Sequence, residues 1–163
     1  MNLKENITRI KKIIESINEN NFEIEDSIFD YEGDLSNSMG LKIKNKKNDE
    51  KIGHVVLCKL IYGLTKDPIL KKYFDLENKN NKIFNTENTL YLHDMFIEPE
   101  HRNKGIGKII LKQAHNKALE NGFDYVVLGT ETDNLVANKL YTGFGYNEFL
   151  NPEEKYKFYY IKL

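Results

Sequence analysis

The sequence predicts a single α/β domain, and three observations carry that prediction. From residue 90 onward, apolar segments of strand length alternate with segments of helical period in the order strand, helix, strand, helix, strand, which packs as layers of sheet and helix. The 163 residues, 40% hydrophobic, suffice for one core and leave little room for two, so residues 1–163 are expected to form one domain. The chain shows no internal repeat and no linker-like stretch.

The elements follow in order. Leu3, Ile7, Ile10, Ile13, Ile14 and Ile17 fall at three- and four-residue steps, the stripe of an amphipathic helix over 3–17 that Asn20 and Asn21 end. Residues 22–29 carry aromatic and β-branched side chains among acids and read as a strand, with Gly33, Asn37, Ser38 and Gly40 as loop. A strand over 39–44, a polar turn over 45–50 and a long central strand over 52–62 come next. Asp67-Pro68 starts a short helix with Ile69, Leu70, Tyr73, Phe74 and Leu76 behind it, inside a long connection whose 78–81 and 85–89 stretches read as exposed loop. Beyond it lie a strand at 90–97, a turn at 99–103, a helix at 104–121 closed by Gly122, and a strand at 125–128. A short helix at 134–141 and strands at 146–150 and 156–163 complete the chain.

Composition narrows the function. The 24 Lys and Arg nearly cancel 25 Asp and Glu, for a formal net charge of −1, so no nucleic-acid partner is expected. No apolar run reaches membrane-span length and Met1-Asn2-Leu3-Lys4-Glu5 is unlike a signal peptide, so the expected setting is cytoplasmic, with no membrane partner. Cys58 is the only cysteine, which excludes an internal disulfide and a four-thiolate zinc site; a metal held through His stays open, but the four His are scattered and no metal is expected.

The chemistry concentrates in Arg102-Asn103-Lys104-Gly105-Ile106-Gly107, between a strand and the start of a helix. Two glycines let backbone approach a ligand, and the N–H groups and dipole of a helix N-terminus favour phosphate; Arg102, Lys104 and Lys108 add positive charge. A plain tight connection with solvated basic residues is the alternative. The run has neither the third glycine of a dinucleotide fingerprint nor the Gly-Lys-Ser/Thr ending of a P-loop. Downstream, Asn134, Ala137, Leu140, Tyr141, Gly145 and Tyr146 stand at the spacing N-x-x-A-x-x-L-Y-x-x-x-G-Y.

With these two motifs, in this order, the stretch 90–150 resembles the GNAT superfamily of N-acetyltransferases. Its strand ending in an apolar residue and Pro, then R/Q-x-x-G-x-G/A, is matched by Met95-Phe96-Ile97-Glu98-Pro99 and 102–107; its N-x-x-A-x-x-L/F-Y with G-F is matched by 134–146, with Tyr146 for the usual Phe. The resemblance implies a mixed, mostly antiparallel sheet flanked by helices, with acetyl-CoA as cosubstrate in the opening between the strands at 90–97 and 125–128. It implies that Arg102, Asn103, Lys104, Gly105, Ile106, Gly107 and Lys108 wrap the pyrophosphate, and that Met95, Phe96 and Ile97 pair with the pantetheine arm while the Ile97 N–H polarises the thioester carbonyl. Asn134 and Asn138 join the cofactor-binding set, Asn134 bonding the pantetheine amides, capping the helix, or both. The resemblance implies that Tyr141 is the general acid that protonates the departing thiolate; without the motif it reads as half-buried core.

The acceptor amine arrives protonated, so a base is needed, and His93 and Asp94 lie just upstream of the cofactor strand. Alternation on a strand predicts that only one of them faces the cleft. The run His93-Asp94-Met95-Phe96-Ile97 is similar to the Glu-Asp-Phe-Phe-Val run of spermidine/spermine N-acetyltransferases, which places His93 at the catalytic carboxylate and leaves Asp94 as second choice. Cys58 lies outside both motifs, so transfer is expected to be direct. Seven acids, Glu19, Glu23, Glu25, Asp26, Asp30, Glu32 and Asp34, stand in a stretch without Lys or Arg. They read either as a rim attracting a small cationic amine or as a strand edge that discourages pairing. The segment 64–88 reads as an acceptor lid or a surface insertion. Homodimers are common in the resembled family and the aromatic run 156–160 suits an interface; a monomer stays open. Acetylation of protein N-termini or lysines, and a catalytically silent acyl-CoA-binding module, are the alternative functions.

Overall fold

The computed structural model describes residues 22–27, 38–81, 85–149 and 155–163. The helix expected over 3–17, the loop positions Gly33 and Asn37, and the acids Glu19, Asp30, Glu32 and Asp34 lie outside them. Seven strands form one sheet: β1 (Phe22–Ser27), β2 (Ser38–Asn45), β3 (Lys51–Lys59), β4 (Thr89–Ile97), β5 (Tyr125–Glu131), β6 (Asn147–Glu148) and β7 (Tyr156–Lys162), in the spatial order β1-β2-β3-β4-β5-β7-β6. Every neighbouring pair is antiparallel except β4 and β5, which bears out the mixed, mostly antiparallel sheet. The helices among the described residues are α1 (Leu60–Lys66), α2 (Pro68–Asn81), α3 (Ile106–Glu120) and α4 (Leu135–Phe144).

Alternation along the strands sends two apolar sets to opposite faces. Leu41, Ile43, Val55, Leu57, Leu90, Leu92, Val126 and Leu128 pack with the α3 stripe Ile106, Ile110, Leu111, Ala114 and Ala118. Cys58, Tyr91, Val127 and Phe158 face the other way, against Leu60 of α1 and Leu70, Tyr73 and Phe74 of α2. The Tyr73 hydroxyl donates to the Tyr156 carbonyl over 2.6 Å, tying that helix to β7. Burial in this layer pushes the Cys58 thiol up to about 12, so it stays an inert apolar filler.

Several boundaries differ from expectation, each for a packing reason. The strand expected over 52–62 ends at Lys59 and the chain turns into α1, whose buried Leu60 and Gly63 sit against the sheet; a run apolar throughout carries no period to separate strand from helix. Ser38 and Gly40 belong to β2, Gly40 lying between Ser27 and Val56, so sheet pairing overrides their loop propensity. Asp67 starts α2 as expected, its Oδ1 accepting from the amides of Ile69 and Leu70, but that helix runs on to Asn81. The weak helix formers Asn78 and Asn81 are carried by the buried turn of Tyr73, Phe74 and Glu77. The connection 64–88 is therefore mostly helical, and the strand expected at 146–150 shrinks to Asn147 and Glu148.

β1 is the sheet edge opposite β6. Glu25 pairs with Lys44 at 2.9 Å and Asp26 with Lys117 at 2.6 Å, so two of the three described acids of the stretch are neutralised on the strand edge, with Glu23 exposed beside them. The run 156–160 lies inside β7, paired along its whole length with β5 on one side and, at Phe158 to Tyr160, with Phe149 and β6 on the other.

Gly53 marks the closest approach of β3 to the end of β4. A Cβ there would stand 2.5 Å from the Phe96 carbonyl oxygen and 2.8 Å from Ile97 Cδ1. Gly53→Ala is expected to destabilise the fold by about 1–3 kcal/mol, read as a lower Tm in thermal unfolding. An unchanged Tm would show that β4 can move aside at no cost.

Candidate active site

The parallel pairing of β4 with β5 runs only from Thr89–Tyr125 to Leu92–Leu128. Beyond it β5 stays with β7 and β4 stays with β3, so the two strands part and leave an opening in the middle of the sheet. The β3–β4 register shifts between Val56 and Leu57, where Asp94 pairs with Val56 and Leu92 with Leu57, so His93 is the extra residue of a β-bulge that bends β4 away. The Glu98 amide donates to the Ile52 carbonyl over 2.8 Å, which fixes the direction of alternation. Phe96 therefore directs its backbone toward β3, while Met95 and Ile97 direct their N–H groups into the opening. The Ile97 carbonyl faces the same side and accepts from Arg102 Nε at 2.8 Å.

The loop 102–107 lies at the end of that opening. Asn103 and Gly105 adopt left-handed backbone, with φ of 60° and 81°. Gly105 is the N-cap of α3 and no side chain caps this helix; the Lys108 amide donates to the Gly105 carbonyl over 3.1 Å, which leaves the amides of Ile106 and Gly107 at the open helix start. The Arg102 guanidinium lies 5.5 Å from the Phe96 ring centroid. A Cβ on Gly107 would meet Met95 Cε at 3.4 Å and Leu140 Cδ2 at 3.5 Å, so this glycine brings α3 close to both β4 and α4. Lys104 and Lys108 are exposed beside it.

The second motif closes the other side. Asn134 caps α4, its Oδ1 accepting from the Ala137 amide at 3.2 Å. Asn138 is used by the protein itself: its Nδ2 donates to the carbonyls of Glu131, Thr132 and Asn134, and its Oδ1 accepts from the Tyr159 hydroxyl at 2.6 Å. Tyr141 is buried, with the rings of Tyr146 and Tyr159 each 5.9 Å away. Burial, helped by Tyr159, pushes its phenol up to about 12.

A bulged, splayed strand pair and an uncapped glycine-led helix start thus meet at one opening, with α4 and its buried Tyr141 packed beside that helix start. The model of the acetyltransferase (GNAT) family matches residues 8–146. This chain belongs to the GNAT family. N-acetyltransferase 8 of Homo sapiens is 34% identical over 62 residues, 38% of this chain and 27% of that protein. The curated relatives are matched over only 15% to 27% of their length. A Klebsiella pneumoniae protein assigned as an acyl-CoA N-acyltransferase superposes with a TM-score of 0.63 at 17% identity, over 87% of this chain and 97% of that one. The PaiA N-acetyltransferase of Thermoplasma acidophilum, solved with coenzyme A, gives 0.55 at 17%, over 78% and 62%. At these identities the two structures establish the fold. No helix among the described residues is long and apolar enough to cross a membrane.

Within this GNAT chain the base candidates are arranged differently from expectation. Simple alternation would send His93 and Asp94 to opposite faces, but the bulge puts both on the face away from α3. Leu92 and Met95 pack on the α3 side. The His93 ring lies 6.1 Å from that of Tyr91, which is in the opposite layer. Asp94 reaches His54 on β3, whose Nε2–H donates to Asp94 Oδ2 over 2.7 Å. His54 escaped notice in the sequence, although a histidine between Ile52 and the Val55-Val56-Leu57-Cys58 run is an anomaly that flags it.

His115 belongs to neither motif and lies on the apolar stripe of α3 one turn after Leu111. Its Nε2 pairs with the Tyr146 hydroxyl at 2.7 Å, which supplies the partner a Tyr needs where the family has Phe. Burial, and then nearby Lys112, pulls His115 down to about 4. The folded imidazole stays neutral while the unfolded one protonates below about 6.5, so its contribution is complete above pH 6.5 and is lost as pH falls toward 4. Urea unfolding at pH 7 and pH 4.5 is expected to show this loss, reduced in His115→Gln; an equal loss in the variant would assign the acid sensitivity elsewhere.

Proposed function

We propose that this chain is an acetyl-CoA-dependent N-acetyltransferase that moves the acetyl group directly to a primary amine, a small cationic amine by preference. The observation that carries this reading is the opening between β4 and β5 with the Ile97 N–H directed into it and the uncapped α3 start beside it, where Gly107 lets α3 approach α4, the helix that bears Tyr141. The first-turn amides of α3, with Gly105, Gly107 and the side chains of Arg102, Lys104 and Lys108, would hold the pyrophosphate. Met95, Phe96 and Ile97 would line the pantetheine, Met95 and Ile97 offering the backbone N–H groups of an edge with no strand beside it, and Asn134 would add its amide. Asn138 would serve this set indirectly, since its donors already tie α4 to the end of β5.

Bound acetyl-CoA supplies an activated thioester. The chain's own residues would orient it, polarise its carbonyl through the Ile97 N–H, and handle protons: His93 or Asp94 would deprotonate the ammonium, and Tyr141 would protonate the departing sulfur. Support for a cationic acceptor comes from the Asp94 carboxylate, whose side chain is 51% exposed on the face where the acceptor would approach. Cys58 is buried and protonated, which supports direct transfer over an acyl-enzyme.

The test is thiol release from acetyl-CoA across a panel of polyamines, aminoglycosides, amino acids and peptides, with coenzyme A binding followed by calorimetry. Turnover on one class of small amines is the expected result. Turnover confined to peptides would shift the reading to protein acetylation, binding without turnover would favour a silent acyl-CoA-binding module, and absence of binding would overturn the assignment of 102–107.

A further inference from the structure

We infer that His54 is a positioning residue for amine deprotonation, holding Asp94 as the group that takes the acceptor's proton; this rests on the acetyltransferase reading above. A carboxylate has no hydrogen to give, so the 2.7 Å contact requires the proton on His54 Nε2 and commits Oδ2 of Asp94 to it. Oδ1 is then left to face the acceptor. The exposures agree with this division of labour: the His54 side chain is 13% exposed and that of Asp94 51%, so the imidazole stands behind and the carboxylate in front.

His54 is itself held. Its ring stacks on Phe96 at 5.9 Å with an interplanar angle of 29°, and Phe96 carries the Arg102 guanidinium on its ring. The strand that offers its backbone to the opening, the loop at the start of α3 and the proton acceptor are thereby linked through adjacent side chains of β3 and β4. The bulge makes the arrangement possible, since it turns Asp94 onto the face that His54 occupies. Stability does not account for the pair: an ion pair with one partner half exposed contributes about 0–1 kcal/mol.

The proton balance is closed. The ammonium gives one proton to Asp94, the freed lone pair forms the C–N bond to the acetyl carbon, and the C–S bond breaks. Tyr141 protonates the sulfur and is restored by the proton shed from the new amide nitrogen, while Asp94 passes its proton to water, for one proton released per turnover.

The experiment compares kcat, KM for both substrates and Tm for wild type, His54→Leu, His54→Gln, Asp94→Asn and His54→Leu/Asp94→Asn, on the amine the panel identifies. His54→Leu is expected to lower kcat by about ten- to a hundredfold, as loss of positioning does, with Tm and the acetyl-CoA KM close to wild type. His54→Gln, which keeps a donor near the same place, is expected to restore most of the rate. The double variant should be no slower than Asp94→Asn, because His54 acts through Asp94. Wild-type kcat in His54→Leu, no rescue by Gln, additive losses, or full activity in Asp94→Asn would each overturn the inference while wild-type turnover leaves the acetyltransferase reading standing. Absence of turnover in the wild type would overturn both.

Discussion

Tyr141→Phe is expected to lower kcat by about two to four orders of magnitude, the usual worth of a positioned general acid, and to leave coenzyme A affinity and Tm essentially unchanged. The substitution deletes one oxygen and keeps the ring between Tyr146 and Tyr159. A phenol pushed up to about 12 stays protonated throughout the working range, so the acid is always loaded. It is too weak to protonate a relaxed thiolate of ordinary pKa about 8.5, so its transfer has to accompany C–S cleavage. Two measurements follow. Wild-type kcat should show no basic limb below pH 9 arising from this group, and a kcat in Tyr141→Phe within about threefold of wild type would assign the acid role elsewhere. The same burial makes an opposite-limb stability prediction: the unfolded phenol ionises above about 10 and the folded one only near 12, so stability is intact below pH 10 and falls as pH rises between them, more in wild type than in the Phe variant.

Gly105→Val is expected to raise the acetyl-CoA KM by about tenfold or more, with a smaller change in kcat. No atom lies within 4 Å of where a Cβ would stand, so the effect is not steric crowding by neighbours. It is conformational: at φ of 81° a β-branched residue costs about 1–2 kcal/mol, and the loop relieves that cost by turning the peptide that precedes α3. The first-turn amides then lose their common direction, and about 1.4 kcal/mol of lost binding is tenfold in affinity. Gly105→Asn is the informative partner, because Asn103 already holds a left-handed conformation two residues earlier. Calorimetry with coenzyme A checks both: Asn close to wild type with Val weakened is the expected order, and equal affinities for all three would remove the loop from the binding site.

Much of the site was legible because its parts are short. The two-glycine loop, the Asn134 cap and the Tyr141 spacing each depend on backbone chemistry within a few residues, and the strand and helix periods from 89 onward are sustained enough to locate the elements within about three residues. Where the period failed, as in 52–62, the apolar run hid the turn from β3 into α1. Where propensity misled, as at Asn78, burial of the neighbouring helical turn outweighed it.

The sequence alone thus determined the family, the strand-to-helix loop and the place of Tyr141 on its helix, since these reside in local spacing and in the conformations that Gly and Asn allow. Only the tertiary structure decided which side chains meet. The bulge opposite Val56 and Leu57 set His93 and Asp94 on one face and brought His54 to Asp94 across a separation of 40 residues, while the packing of α3 beside the turn after α4 gave Tyr146 its partner His115. Register is a property of two whole strands pairing, settled by the burial of one face along their length, so no local window of sequence contains it.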